Sequence, residues 1–429
     1  MSKGLTKSGS RQERVAAHTA RVELPLALLA VLEDTQSAFF GLCVDAGKQV
    51  LGALMEADRT ALCGPSGQHD AERTHGRAGA ARSAVVLGGR TIAIERPRVR
   101  SRAGEEARLP SFTAAARRDP LDRHTLEALA AGVSMRRYER SLDPVPRSVQ
   151  ERATSKSAVS RRFVALTETK LAAWFSAPLC ELDLRVVMID GIAFRKHCVL
   201  VALGIDGDGT KHALGLREGT TENAGVAKAL LAELIERGLP SDRALLFVID
   251  GAKALRKAIA ETFGRAALVH RCQLHKQRNV LEHLPERLRP SVAKALAQAW
   301  NSADAKLARR QLERLAASLE TQHPGAAASI REGLDETLTL QELGITGALY
   351  RTLRSTNPIE NLNGAIGAYT HHVKRWRGGR MILRWVGAAM AEAATHFRRI
   401  RGHDDLPKLV AALRRHEQCI GLQNQAEVA

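Results

Sequence analysis

The sequence predicts an α/β core that is interrupted by an all-helical insertion and preceded by a mainly helical, basic region. Three observations carry this expectation. Between residues 184 and 270, short apolar β-branched runs alternate with amphipathic stretches. Residues 281–345 are rich in Ala, Leu, Arg and Glu and hold no strand-like run. Residues 22–62 carry apolar side chains at helical spacing, Leu24, Leu28, Val31 and Leu32 forming one stripe. With 429 residues and 45% hydrophobic content, the chain has material for roughly two to four domains.

The elements follow in order. Residues 1–20 are polar and basic, with no apolar segment of a secretory signal, and are expected to be a tail. Residues 21–110 form a helical region with a short hairpin. There, residues 84–87 and 91–94 flank Gly88 and Gly89, a pair that suits a tight turn. The glycine- and histidine-rich stretch before it, residues 64–83, reads as loop. After the hairpin, Arg96, Arg98, Arg100 and Arg102 recur at every second position, where an extended chain puts them on one side. Residues 111–180 have a helix-turn-helix rhythm. One helix ends at Gly132, Ser134 caps the next, and Ser155 and Ser157 open a third that carries Arg161 and Arg162. Residues 403–429 are expected to be a C-terminal tail.

Residues 181–280 change grammar. Apolar runs at 185–190, 197–204 and 211–216 precede a helix at 224–238. A strand at 244–250, a helix at 254–263 and a strand at 266–270 follow. Three strands, helix, strand, helix, strand is the order of an RNase H-like core, an antiparallel meander extended into parallel pairing. The core resumes over residues 346–402, which include a basic helical stretch from 370.

Two of these strands end alike, at Asp190-Gly191 and Asp250-Gly251. The carboxyl-terminal lip of such a sheet is where ligand sites gather. Two carboxylates there repel each other unless a cation intervenes. Oxygen-only donors favour Mg²⁺ or Mn²⁺. A third carboxylate completes a site for two ions. Glu360 is the candidate, in the first turn of a helix that Ser355 or Thr356 caps and Pro358 starts. Two such ions serve in-line displacement at phosphorus.

The net charge of +18 calls for an anionic partner, and nucleic acid is the first candidate. The six scattered cysteines form no paired framework, which fits reduced thiols in a cytoplasmic protein. No run of about 18 apolar residues exists, so no membrane contact is expected.

The motifs around these carboxylates are long and ordered. They are the run from Val248 through Asp250 to Leu255, the run Arg271-Cys272 through His275-Lys276 and Arg278-Asn279, and the run Leu353-Arg354 through Asn357, Glu360 and Asn363. Together they resemble the mutator-type transposases of bacterial insertion sequences, over about residues 80–410. The resemblance implies a DDE transposase on an RNase H fold, with Asp190, Asp250 and Glu360 as catalytic metal ligands. It implies Mg²⁺ or Mn²⁺ as a pair of ions and double-stranded DNA as partner, both the terminal inverted repeats and the target. It further implies a homo-oligomer, at least a dimer, working on the bacterial nucleoid. The family's Cys/Asp-x-x-His signature falls on Cys272 and His275, expected to orient a carboxylate or the scissile phosphate. Asn361 follows the glutamate where the family often has Arg or Ser. Lys276, Arg278, Arg354, Asn357 and Asn363 within these motifs are expected to contact DNA. So are Arg161, Arg162, Lys374, Arg375, Arg377 and Arg380, with Trp376 either stacked on a base or packed in the protein.

Other patterns read more plainly. Cys63, His69 and His75 fit no metal spacing and read as loop. Asp206 to Thr210 lacks the late glutamate of a calcium loop and reads as a hairpin turn. Two further readings stay open: a non-catalytic DNA-binding regulator, and an RNase H-like nuclease that cuts without joining.

Overall fold

The structure, a computed structural model, describes residues 35–68, 73–87, 90–117, 151–152, 156–219 and 223–428. It divides into two compact units, residues 1–128 with 135–160 and residues 129–134 with 161–429.

The first unit holds helix α1 (Thr35–Cys63), the strands β1 (His75–Leu87) and β2 (Arg90–Ser101), the two-residue strands β3 (Glu106–Ala107) and β4 (Glu151–Arg152), and helix α2 (Pro110–Arg117). β1 and β2 form the expected hairpin, closing at Leu87↔Arg90, but they extend it back to His75↔Ser101. Residues 75–83 are therefore strand rather than loop. Their Gly- and Ala-rich sequence has no alternating apolar face, so pairing with β2 decides their conformation. Met55, Cys63, Val99 and Leu109 make a small core. Arg96 and Arg98 both donate to Glu106, at 2.6 and 2.9 Å, so these two arginines of the stripe are paired within the protein. The first two helices of the expected helix-turn-helix, residues 126–142, lie outside the described residues.

The second unit is built on five strands. They are β5 (Leu184–Phe194), β6 (His197–Asp206), β7 (Lys211–Gly219), β8 (Leu245–Ile249) and β9 (Ala267–Arg271), in the order β7-β6-β5-β8-β9. β5, β6 and β7 pair antiparallel, and β8 and β9 continue the sheet in parallel. Asp206 Oδ1 accepts from the backbone N–H of Asp208 and of Thr210, both at 2.9 Å, which makes 206–210 the expected turn. Helices α4 (Ala224–Glu236) and α5 (Lys253–Phe263) cover one face. Among the residues that pack under them are Val187 and Ile189 of β5, past the register irregularity at 184–186, and Leu245, Phe247 and Ile249 of β8, all at odd positions. Side chains alternate across a strand, so the even positions, 190 and 250 among them, belong to the opposite face.

Helix α3 (Lys156–Ser176) contributes Phe163 against Trp385, with ring centroids 4.3 Å apart. After β9 come α6 (Gln273–Glu282), α7 (Arg289–Trp300), α8 (Ala305–Leu319), α9 (Pro324–Arg331), the one-turn α10 (Thr339–Glu342) and α11 (Gly347–Leu353). α7, α8 and α9 carry a separate core of Leu296, Trp300, Leu312 and Ile330 among others. That is the helical insertion expected from composition. A buried polar network ties these helices together, as Gln273 Nε2 donates to Thr337 O and to Tyr350 Oη, both at 2.9 Å, and Thr339 Oγ1 joins them to β9 by donating to Val269 O at 2.7 Å. The chain ends in α12 (Asn357–Thr370), α13 (Gly379–Ala394) and α14 (Leu406–Val428).

Two differences from expectation lie here. Residues 371–378, expected as basic helix, are irregular up to Gly379. Gly378, with φ of 150°, ends a stretch in which cations crowd together without acids to offset them. Residues 406–428, expected as tail, are helix. Leu406, Leu409 and Leu413 are fully buried, and Glu417 accepts from Ala244 N at 2.7 Å.

His270, on β9, is fully buried. Burial pushes its pKa down to about 3, against weaker opposing interactions with the backbone of Arg354 and Glu336. The folded protein thus holds it neutral, while the unfolded chain protonates below about 6.5. Its contribution to stability is complete above that pH and is lost as pH falls toward 3, at up to about 1.4 kcal/mol per unit. Melting temperatures from pH 7.5 to 4.5 should show a shallower acid decline for His270→Leu than for wild type. Parallel curves would contradict the assignment.

Candidate active site

The site begins with register. β5 and β8 pair at a constant offset, Val186↔Leu246 through Met188↔Val248. Continuing that offset by two residues sets Asp190 against Asp250 on the face away from α4 and α5. The two positions differ in one respect that their sequences hide. Asp250 follows the last residue of β8, and Gly251 turns the chain with φ of 104°. Asp190 instead lies inside β5, which continues beside β6 through Asp190↔Val201 to Phe194↔His197. Only its β8 neighbour stops there.

Helix α12 crosses this face and brings Glu360 in its first turn. Asn363, one turn further on, donates from Nδ2 to Asp190 Oδ2 at 2.8 Å. Asp190 Oδ1 accepts from Gly191 N at 2.9 Å, and Asp250 Oδ1 accepts from Ala252 N at 2.9 Å. Burial pushes the Asp190 carboxyl above the usual carboxylate range. The Gly191 bond offsets part of this, Asp250 and Glu360 push it up further, and His275 pulls it down. Asp250 and Glu360, 60 and 170 residues further along the chain, therefore both act on Asp190 through space.

The N-terminus of α6 supplies the remaining wall. Cys272 caps that helix, its Sγ accepting from His275 N. His275 Nδ1 stands 3.3 Å from Cys272 Sγ and 3.8 Å from Glu360 Oε1. The hydrogen bond with Cys272 raises the His275 pKa; burial lowers it, and the Cys272, Glu360 and Asp250 charges raise it again. Burial raises the Cys272 thiol, but bonds from His275 and Thr356 outweigh this and leave it below its ordinary value. Sequence spacing offered no third ligand to this Cys/His pair. The fold supplies one, because donor atoms of Cys272, His275 and Glu360 lie within 4.8 Å of one another.

The residues expected to touch DNA divide. Arg161, Arg278, Asn357, Lys374, Arg375, Arg377 and Arg380 are exposed, and Arg162 shares α3 with Arg161. Arg354 is half-buried, with Nη1 3.4 Å from Asn301 Oδ1. Asn363 is turned to Asp190 instead. Lys276 is corrected outright: it is 1% exposed, on the inward face of α6 with Gln273 and Val280. Its Nζ lies 3.7 Å from Glu332, and burial and Arg271 push its pKa down to about 8 against the pull of Glu332. The i, i+3, i+7 spacing sets those three residues on one side of the helix, but only Val280 is apolar, so the sequence does not mark that side as inward.

The exposed run 374–377 is joined to the β5–β6 turn. Arg195 takes a positive φ of 55°, which L-residues seldom adopt. Its Nη2 donates to Lys374 O at 3.3 Å, and Phe194 meets Trp376 edge-on at 5.0 Å. Trp376 is thereby packed, and Arg195 and Lys196 add two exposed cations to the same patch. No signal in the sequence connects these segments.

A family model described as "Transposase, Mutator family" matches residues 20–400. The chain is 30% identical over 264 residues to the transposase for insertion sequence element IS6120 of Mycolicibacterium smegmatis, covering 59% of this chain and 77% of that one. It is 27% identical over 386 residues to the transposase for insertion sequence element IS1081 of Mycobacterium tuberculosis, covering 86% and 89%. It is 29% identical over 244 residues to the transposase for insertion sequence element ISRM5 of Rhizobium meliloti, covering 56% of this chain and 60% of the relative.

Proposed function

Because the chain belongs to the Mutator family of transposases, we propose that it binds the terminal inverted repeats of an insertion sequence and performs metal-dependent cleavage and strand transfer at Asp190, Asp250 and Glu360. The observation that carries this reading is that Asp250 and Glu360 both act electrostatically on the buried Asp190 carboxyl, which Asn363 of the Glu360 helix also reaches by a hydrogen bond. The strand order, a three-stranded meander continued by two parallel strands, supports an RNase H-like core.

The donor set fits a pair of divalent ions. It is all oxygen, and Asp190 is already strained by burial and by two like charges, a conflict that a hard cation removes. When bound, such ions activate a water or a 3′-hydroxyl and stabilise the leaving 3′-oxygen. The protein's own side chains do the rest. Asn363 and Gly191 fix both oxygens of Asp190, so this carboxylate meets its ligand already oriented. Ala252 does the same for Asp250 from one side. His275 Nδ1 stands 3.8 Å from Glu360 Oε1, and the Glu360 and Asp250 carboxylates favour its charged form.

The exposed cations beside the site serve the DNA backbone. Each phosphate neutralised releases counterions and adds to the salt dependence of binding. Replacing Lys374, Arg375 and Arg377 together by Ala should lower the slope of log K against log salt by about 2–3 on end-sequence duplex. An unchanged slope in a fluorescence-anisotropy titration would remove this patch from the DNA interface. No described helix is long and apolar enough to cross a membrane. Two DNA ends joined in one complex call for at least two copies of the chain, working where the bacterial chromosome lies.

Incubation of the purified protein with end-sequence duplex and Mg²⁺ tests the reading. Nicking at the repeat end and joining of the freed 3′ end to a second duplex are expected, both abolished by EDTA. Cutting without joining would make it a nuclease, and binding without cutting a regulator.

A further inference from the structure

We infer that Thr356 is the positioning residue for Glu360, its buried hydroxyl setting where the third carboxylate stands. The inference rests on reading Glu360 as one of the three metal-holding carboxylates.

Thr356 occupies the cap position of α12 and is completely buried. A threonine there ordinarily spends its hydroxyl on the free N–H groups of the first turn. This one makes no side-chain capping bond. The local sequence explains why: the second helical residue is Pro358, which has no N–H. The N–H of the third, Ile359, is taken by the Thr356 carbonyl at 3.0 Å. The hydroxyl is left with no capping work.

It stands instead among the site's polar atoms. Oγ1 lies 2.6 Å from Glu360 Oε1, 3.3 Å from His275 Nδ1 and 3.4 Å from Cys272 Sγ. A hydroxyl has one proton and two lone pairs. The shortest contact takes the proton, so Thr356 donates to Glu360, and a lone pair faces His275 Nδ1. The backbone reinforces the placement. Thr356 N donates to Cys272 Sγ at 3.5 Å, and Gln273 N donates to Arg354 O at 2.9 Å. The start of α12 is thereby stitched to the start of α6, across 84 residues of chain. Glu360 is one helical turn beyond Thr356, on the same face, and its side chain is 36% exposed. Without the hydroxyl, that carboxylate loses the bond that selects one rotamer among several.

The test uses the full chain as Thr356→Val, which keeps the shape and loses the hydroxyl, and Thr356→Ser, which keeps the hydroxyl. Three quantities are read: kcat and KM for end-sequence DNA cleavage, Mn²⁺ affinity of the DNA-free protein by electron paramagnetic resonance, and melting temperature. T356V should lower kcat and Mn²⁺ affinity by about 10-fold or more each, with KM for DNA little changed. T356S should recover most of both losses. If T356V melts early, Thr356→Ala must show the same pattern. Wild-type kcat and Mn²⁺ affinity in a hydroxyl-free variant would overturn the inference. So would a T356S as impaired as T356V, since a hydroxyl at that position would then not be enough to place the carboxylate. A wild type that neither binds Mn²⁺ nor cleaves would instead overturn the reading of the carboxylates, and this inference with it.

Discussion

Asp190→Asn should lower strand cleavage by roughly 10³-fold while leaving affinity for end-sequence DNA unchanged. Lewis-acid stabilisation of the transition state is worth several kcal/mol, and each 1.4 kcal/mol is about one decade of rate. Asparagine keeps the shape and one acceptor oxygen, which can serve the Asn363 amide or the Gly191 N–H but not both, and brings no charge to hold a cation. The same change has a second, opposite consequence. Asp190 is buried beside Asp250 and Glu360, and its charge is disfavoured there in the absence of metal. Removing that charge should leave the melting temperature of the metal-free protein unchanged or higher, the usual signature of a site that trades stability for activity. Single-turnover cleavage, anisotropy binding and calorimetry on one preparation decide the matter. Retained cleavage would exclude Asp190 from the chemistry. A fall in both stability and DNA binding would make it a structural residue.

Gly251→Ala should disable the protein by a different route. Gly251 follows Asp250 with φ of 104°, a conformation that strains any residue with a Cβ. The Cβ would also fall 2.1 Å from Arg271 Nε and 2.6 Å from its Cζ. Arg271 cannot simply swing away. It is 5% exposed, with Nη1 donating to Glu332 O at 3.1 Å and Nη2 3.4 Å from Glu332 Oε2. That contact also links β9 to the end of the helical insertion. Backbone strain and the disturbed arginine together should cost about 2–4 kcal/mol and move Asp250 off its position. Gly367→Ala is the matched control. It lies in α12 with nothing within 4 Å of an added Cβ, and there alanine should stabilise by about 0.5–1 kcal/mol. Urea denaturation and cleavage assays on both variants check the contrast. Equal stability of the two would refute the steric argument.

Much of the core was legible because its elements are local. The runs at 185–190, 197–204, 211–216, 244–250 and 266–270 became β5 to β9 with shifted ends. The helices at 224–238 and 254–263 became α4 and α5. Apolar runs of that length bury themselves in a two-sided sheet wherever they fall. The first-turn position of Glu360 was legible because Pro358 and the cap residues before it mark a helix start. The strand at 75–83 was missed because its conformation comes from a partner strand and not from its own side chains. The helix at 406–428 was missed for a related reason: its buried leucines face a surface that exists only after the sheet has formed.

What the chain's own periodicity determined is most of the core's strands and helices, and the places of Asp250 and Glu360 at element boundaries. What tertiary structure decided is which face each residue takes and what it meets there. Lys276 turned inward, Asn363 turned to Asp190, and Arg195 reached Lys374 across 179 residues. A period of 2 or 3.6 is written in neighbouring residues, whereas a contact between distant ones depends on register and crossover. Those are set by the packing free energy of the whole core, to which no single segment holds the key.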